Sequence, residues 1–254
     1  VTAATTDVHA DHVRTDDVGA HQLRTDDVGA DPVRADDAAA VVLAGGRARR
    51  LGGIDKTALA RDGVSLLDDA VRAAGGCARV VVVGTGNRPD ARMDGAWRRA
   101  VSVSLVDEAP AHGGPAAALA AGVRALTPDA LPDWVLVLAA DLARAPEAVR
   151  ALLPLRHDAG LADGRDAIVA RDPEGRSQPL LALYRSAPLV AALDAIDRAT
   201  GVDGVSLRRV LDALGADRIA HADLPARLCA DVDTPDDARA HWLRLPDDRI
   251  PDAR

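Results

Sequence analysis

From Ala38 onward, short runs of apolar and β-branched residues alternate with longer alanine- and leucine-rich stretches. Short unbroken apolar runs predict strands buried on both faces, and apolar positions recurring every three or four residues predict helices. The pattern predicts strands at Ala40–Leu43, Val80–Val83, Val101–Val106, Trp134–Ala140, Ala167–Ala170, Leu180–Tyr184 and Arg227–Val232. It predicts helices at Ser65–Ala74, Pro115–Leu126, Pro146–Leu152, Pro188–Ala199, Ser206–Leu214 and Pro235–Leu243. Four of these helices open with proline, whose missing N–H costs nothing in a first turn. Thr234-Pro235-Asp236-Asp237 adds a hydroxyl cap and two acids at the positive end of a helix. Strands alternating with helices, and strands apolar throughout, predict an α/β fold with a mostly parallel sheet covered on both faces. Ligands of such sheets bind outside the carboxyl ends of the strands, so chemistry is expected just after a strand.

The first 37 residues have another pattern. RTDDVGAHQL, RTDDVGADPV and RADDAAAVVL form a ten-residue repeat with Arg14, Arg24 and Arg34 in register. Nine Asp and three Arg give this stretch −6 of the chain's −8, leaving −2 for the remainder. Its apolar residues are isolated and it has no aromatic, so residues 1–37 are expected to be a disordered acidic tail. The histidines and aspartates there match no metal-ligand spacing. Deleting residues 1–36 is expected to leave activity intact, and the opening Val suggests a start placed upstream of the functional one. Residues 38–245 are expected to form the folded domain, and residues 246–254 a flexible tail.

Composition narrows the partners. The chain of 254 residues is 48% apolar but has no Phe, one Tyr and one Met, so Ala, Val and Leu must fill its core. A charge of −8 argues against nucleic acid as a main partner, because phosphate backbones demand a basic face. No apolar run is long enough to span a bilayer, and the N-terminus has no secretory pattern. Cys77 and Cys229 read as buried free thiols, in keeping with a cytoplasmic protein.

One segment stands out chemically. Val41-Val42-Leu43 is a buried strand, and Ala44-Gly45-Gly46 comes directly after it. Paired glycines permit a sharp turn and let backbone N–H groups approach a ligand as an anion nest. Arg47, Arg49, Arg50, Gly52, Gly53 and Lys56 come next, and Lys56 is the only lysine among 31 basic side chains. Neither a Walker A loop nor a dinucleotide fingerprint is present. Read alone, the stretch is either a solvated basic loop or a triphosphate cradle. A compact ammonium on a flexible stem suits a single charge placed between phosphoryl groups.

The run Leu43, Ala44, Gly45, Gly46, Arg49, Arg50, Gly52, Gly53, Asp55, Lys56 resembles the signature loop of the MobA-type nucleotidyltransferases, which attach GMP to molybdopterin. The resemblance extends from about Ala39 to about Leu243. It implies a three-layer αβα Rossmann-like nucleotidyltransferase fold. It also implies that the loop wraps the triphosphate of GTP, with Leu43, Ala44, Gly45, Gly46 and Lys56 binding it and Lys56, Arg49 and Arg50 acting in catalysis. The related cytidylyltransferases tend to carry L-A-A-G, so the second glycine leans toward guanine.

Three acidic stations fit the same resemblance. Asp141 ends the apolar strand WVLVLAAD and resembles the family's D-x-P station, whose Asp binds Mg²⁺; Ala143 stands where that proline is usual. Asp107, with Gly113-Gly114-Pro115 after it, is similar to an Asp that helps hold the nucleotide. Asp231-Val232-Asp233-Thr234-Pro235 resembles a D/N-x-D/N-T-P motif on the acceptor side, with both carboxylates expected to alternate on a short strand and Asp233 a second metal contact. The residues alone equally allow a helix cap at Asp141, a plain turn at Asp107 and a capping role for Asp233-Thr234. Gln178 and Pro179 match an acceptor-side segment. Ser206, Arg208 and Arg209 open a helix that meets either a phosphate or solvent. Gly84 stands where the family often has Asn, so no residue is assigned to read the base.

The resemblance therefore implies Mg²⁺-dependent transfer of GMP from GTP to molybdopterin, or the molybdenum cofactor, with other proteins of molybdenum cofactor biosynthesis as partners. No nucleic acid or membrane is expected to take part. The alternatives are a related transferase with CTP or another small phosphate, and a non-catalytic nucleotide-binding protein.

Overall fold

The structure is a computed structural model and describes residues 32–45, 56–84, 102–107, 113–126 and 131–244. In chain order the strands are β1 (Ala35–Leu43), β2 (Ala60–Arg61), β3 (Val64–Ser65), β4 (Cys77–Val83), β5 (Val103–Val106), β6 (Trp134–Ala139), β7 (Ala167–Arg171), β8 (Ser177–Arg185) and β9 (Ile219–Asp223). The helices are α1 (Leu66–Ala73), α2 (Pro115–Leu126), α3 (Ala145–Leu152), α4 (Ala159–Ala162), α5 (Ser186–Thr200), α6 (Leu207–Leu214), α7 (Ala226–Cys229) and α8 (Pro235–Ala240).

Seven strands form one sheet in the order β5-β4-β1-β6-β8-β7-β9, in which only β8 runs against its neighbours. β2 and β3 form a small separate hairpin. The central strands are apolar throughout because both faces are covered. On β1, Ala38, Ala40 and Val42 face a core completed by α1 and α3, while Ala39, Val41 and Leu43 face one completed by α2, α5 and α6. This is the expected three-layer arrangement. Small residues bring the layers close: a Cβ on Gly122 of α2 would stand 2.5 Å from Val41 Cγ1. Each fully buried Val or Leu contributes about 1.5–3 kcal/mol, so alanine-rich layers depend on such close approach. Among the described residues no helix is long and apolar enough to cross a membrane. Cys77 and Cys229 are free and buried, and burial pushes their thiols up to about 12 and about 11.

Register places the site. Leu43 pairs with Val83 and Ala139, and Val83 pairs with Val106, so β1, β4, β6 and β5 end level with one another. Ala44, Gly84, Asp107 and the Ala140-Asp141 turn leave from this common edge.

Two expectations are corrected. The predicted strand Arg227–Val232 is instead helix α7 and then extended chain, with Pro225 at the N-cap of the helix. The sheet's last strand is β9, whose buried positions are two alanines, Ala220 and Ala222, a weak apolar signal. At the other end β1 begins at Ala35, inside the third acidic repeat. Arg156, almost fully buried, donates from Nε to Asp37 at 3.0 Å, and Val33 O lies where a Cβ on Gly76 would be, so this stretch is built into the domain.

Candidate active site

Backbone hydrogen bonds hold the exit of β1. The Ala44 N–H donates to the Val83 carbonyl at 2.8 Å, and the Ala140 N–H donates to the Leu43 carbonyl at 2.9 Å. Next door, Gly84 has φ +84°, and a Cβ there would stand 2.8 Å from Gly45 Cα. An L side chain fails on both counts, so glycine is what lets the exit of β4 lie against the first turn. Gly84 therefore has a packing reason to differ from the asparagine of the resemblance. Gly46, Arg47, Arg49, Arg50, Gly52, Gly53 and Asp55 lie outside the described residues, as does Asn87.

Lys56 re-enters the described chain at a single 3-10 turn, Lys56–Ala58. The residues after it fix its position. Leu59 is fully buried in a small cluster with Leu66, Ala143, Val232, Ala238 and Leu243. Ala60 and Arg244 exchange backbone hydrogen bonds at 2.7 and 2.8 Å. Arg61 reaches across to the Ala143 carbonyl at 3.3 Å and to Asp69 at 3.3 Å. Three segments remote in sequence are thereby stitched together beside the end of β6.

The carboxylates come from the other two segments. After β6 the chain runs antiparallel to residues 230–232: the Ala143 N–H donates to the Ala230 carbonyl at 2.9 Å, and the Val232 N–H to the Asp141 carbonyl at 3.0 Å. A proline at 143 has no N–H to give, so the alanine that departs from the family pattern gains a tie between the two acidic stations. Asp231 and Asp233 do not alternate on a strand, contrary to expectation; Asp231 forms one isolated bridge with Leu142. Asp233 is set by the cap of α8. Asp237 accepts from the Asp233 and Thr234 N–H groups at 3.1 and 2.8 Å, and Thr234 Oγ1 accepts from the Asp237 N–H at 3.1 Å, a complete capping box. Burial works to raise the Asp237 carboxyl, but these hydrogen bonds outweigh it and hold the group below the usual range.

These ties bring together Lys56, Asp141 and Asp233. The Lys56 ammonium donates to Asp233 Oδ1 and lies 3.7 Å from Asp141 Oδ2. Burial pushes the Asp141 carboxyl above the ordinary range, opposed by Lys56 and reinforced by Asp231 and Asp233. At this separation a charge contact is of order 4 kcal/mol at an effective dielectric near 20, before desolvation. Oxygen donors in a partly buried acidic pair are the donor set a hard divalent cation takes, with phosphate and water completing its shell. Among the described residues no three His, Cys, Asp or Glu groups converge as a self-sufficient metal cage. Two carboxylates would suit magnesium once phosphate and water oxygens complete its shell.

Other candidates lie apart. Asp107 leaves β5, two strands from β1 on the same edge. Gln178 Nε2 donates to Asp172 at 3.2 Å, and the Pro179 carbonyl accepts from the Tyr184 hydroxyl at 2.9 Å. Ser206 precedes α6 without a side-chain capping bond, and Arg208 and Arg209 are exposed. Sequence reasoning misses the Leu59–Leu243 cluster and Arg61, which hold Lys56; the Thr234/Asp237 pair is the one sign of this clamp in the sequence.

Comparison with known proteins gives the chain its class. A MobA-like NTP transferase domain model matches residues 40–219. A probable molybdenum cofactor guanylyltransferase of Natronomonas pharaonis is 30% identical over 210 residues, spanning 81% of this chain and 96% of that protein. Two crystal structures share the fold. Rv0371c from Mycobacterium tuberculosis H37Rv has a TM-score of 0.59 at 21% identity, over 82% of this chain and 98% of its own. Molybdopterin-guanine dinucleotide biosynthesis protein A from Archaeoglobus fulgidus has a TM-score of 0.53 at 20% identity, over 80% and 96%. Fold and match together define a nucleotidyltransferase. The chain belongs to the MobA-like NTP transferase family.

Proposed function

We propose that the chain transfers GMP from GTP to the terminal phosphate of molybdopterin and releases pyrophosphate. The observation that carries this reading is the convergence of Lys56, Asp141 and Asp233 at the strand edge, beside the backbone turn at Ala44-Gly45. The name of the Natronomonas relative supports the guanylyl donor and the cofactor acceptor.

In this reading an acceptor phosphate oxygen attacks the α-phosphorus in line. A new P–O bond forms, the α–β bridging bond breaks, and its electron pair leaves with pyrophosphate. Backbone N–H groups of Gly45 and Gly46, with Arg49 and Arg50, bind the outer phosphates; the Ala44 N–H, expected there from the resemblance, is taken by the Val83 carbonyl, so Ala44 shapes the turn instead. Leu43 fixes where that turn begins, and Asp107 helps hold the nucleoside. Asp141 and Asp233 would hold Mg²⁺, which would supply charge neutralisation at the phosphate oxygens when bound. Lys56 tracks the charge that builds on the leaving group. Such chemistry asks for positioning and electrostatics rather than a protein nucleophile. The reaction belongs in the cytoplasm, where both buried thiols stay reduced, and its product passes to other proteins of molybdenum cofactor biosynthesis.

The test is pyrophosphate release by the full chain with molybdopterin and GTP, CTP or ATP, with and without Mg²⁺. Release with GTP alone, abolished by a chelator and restored by Mg²⁺, is expected. Preference for CTP would reassign the donor, and nucleotide binding without release would make the chain a non-catalytic binding protein.

A further inference from the structure

Resting on the reading of this edge as a nucleotide site, we propose that Lys56 is a built-in counter-ion that keeps the Asp141–Asp233 pair closed to a divalent cation until nucleotide phosphates draw the ammonium away. The ammonium contacts Asp233 Oδ1 and Asp141 Oδ2, the oxygens a cation would need. A divalent cation bridging these two oxygens would stand at the point the ammonium occupies, so the two exclude one another. The pair cannot stay bare without penalty: Asp141 is partly buried and Asp231 adds a third negative charge beside it. An internal cation answers that need when no ligand is bound.

Release requires an alternative partner for the ammonium. The phosphates of a nucleotide supply one, and they also supply oxygens that complete a magnesium shell. Nucleotide and metal binding are therefore positively coupled through one side chain, and by linkage each strengthens the other by the same factor. This also accounts for the residue type. A guanidinium would grip two carboxylates with several fixed donors, whereas an ammonium on a four-carbon stem can change partners. A chain that uses arginine at its 30 other basic positions has lysine at the one place where a charge must move.

The test measures Mn²⁺ binding by electron paramagnetic resonance, without nucleotide, in the full chain and in Lys56→Met, Lys56→Arg and Asp141→Asn. Lys56→Met is expected to bind Mn²⁺ roughly tenfold or more tightly than the parent, since a competing charge is gone, and Lys56→Arg to bind as weakly as the parent. Equal or weaker binding by Lys56→Met, with Asp141→Asn still abolishing it, overturns the counter-ion role and leaves the nucleotide site standing. Mn²⁺ binding to the GTP-loaded chain that ignores Asp141→Asn overturns the reading of the site itself. A second measurement needs no variant at Lys56: Mn²⁺ alone is expected to leave the parent's melting temperature unchanged, while Mn²⁺ with GTP raises it. A rise with Mn²⁺ alone that Asp141→Asn removes contradicts the proposal.

Discussion

The two halves of the strand edge are built in opposite ways. At Ala44, Gly45 and Gly84 the geometry is made by leaving side chains out, so that two backbones touch between adjacent strands. At Lys56, Asp141 and Asp233 it is made by side-chain charge, delivered by three segments clamped through Leu59, Val232 and Leu243. In the first half Gly84 has no room for an added Cβ. The second tolerates shape change and depends on charge balance. A site for a polyphosphate needs both, since amides must approach closely while charges track the breaking bond.

Changes of charge should have the largest effect. Asp141→Ala or Lys56→Ala is expected to lower the rate of pyrophosphate release roughly 10²–10³-fold with the fold retained by circular dichroism. Next comes the backbone half. Gly84→Ala forces a Cβ to 2.8 Å from Gly45 Cα at φ +84°, whereas Gly63→Ala adds one to open space at φ +79°. Both carry a left-handed penalty of about 1–2 kcal/mol, so urea denaturation should show Gly84→Ala clearly the worse, and only it should weaken nucleotide binding.

A smaller effect tests whether the acidic repeat enters the domain. Burial works to raise the Asp37 carboxyl, but the hydrogen bond and charge of Arg156 outweigh it, so its folded pKa lies below the unfolded value of 3.8. The stability it contributes is present above that unfolded value and is lost as pH falls through the lowered folded one. Asp37→Asn should therefore be less stable than the parent at pH 7, and the gap should close on acidification below about pH 4. With a third of Asp37 exposed, about 1 kcal/mol is expected in paired urea titrations. The smallest effect concerns Trp242, which stands at φ +58° just past α8 and is 82% exposed. The Leu243 and Trp242 N–H groups bond back to Ala238 and Arg239, an ending that favours glycine at 242. Trp242→Gly should raise stability by up to about 1 kcal/mol in thermal melts.

The halves also differ in how far the sequence reveals them. Strand β1, its glycine turn and helix α2 are readable because each is a local pattern with a local cause. Asp141 is readable because a buried strand ends on it. The pairing of Lys56 with Asp233 is not, because it depends on contacts across 177 positions and on an apolar cluster with no periodic signature. β9 escapes notice because alanines suffice at an edge strand, and the Asp231–Asp233 stretch looks like a strand when an N-cap governs it. The third acidic repeat opens with the same Arg-x-Asp-Asp as the others, yet Asp37 meets a buried arginine that no local window contains.

The most direct test of one electrostatic unit at this edge is a double-mutant cycle on the rate of pyrophosphate release, using Lys56→Met and Asp141→Asn. If the two charges serve one step, the double variant should lose about as much rate as the worse single one. Losses that simply multiply would mean that the lysine and the aspartate act independently, and would contradict this account.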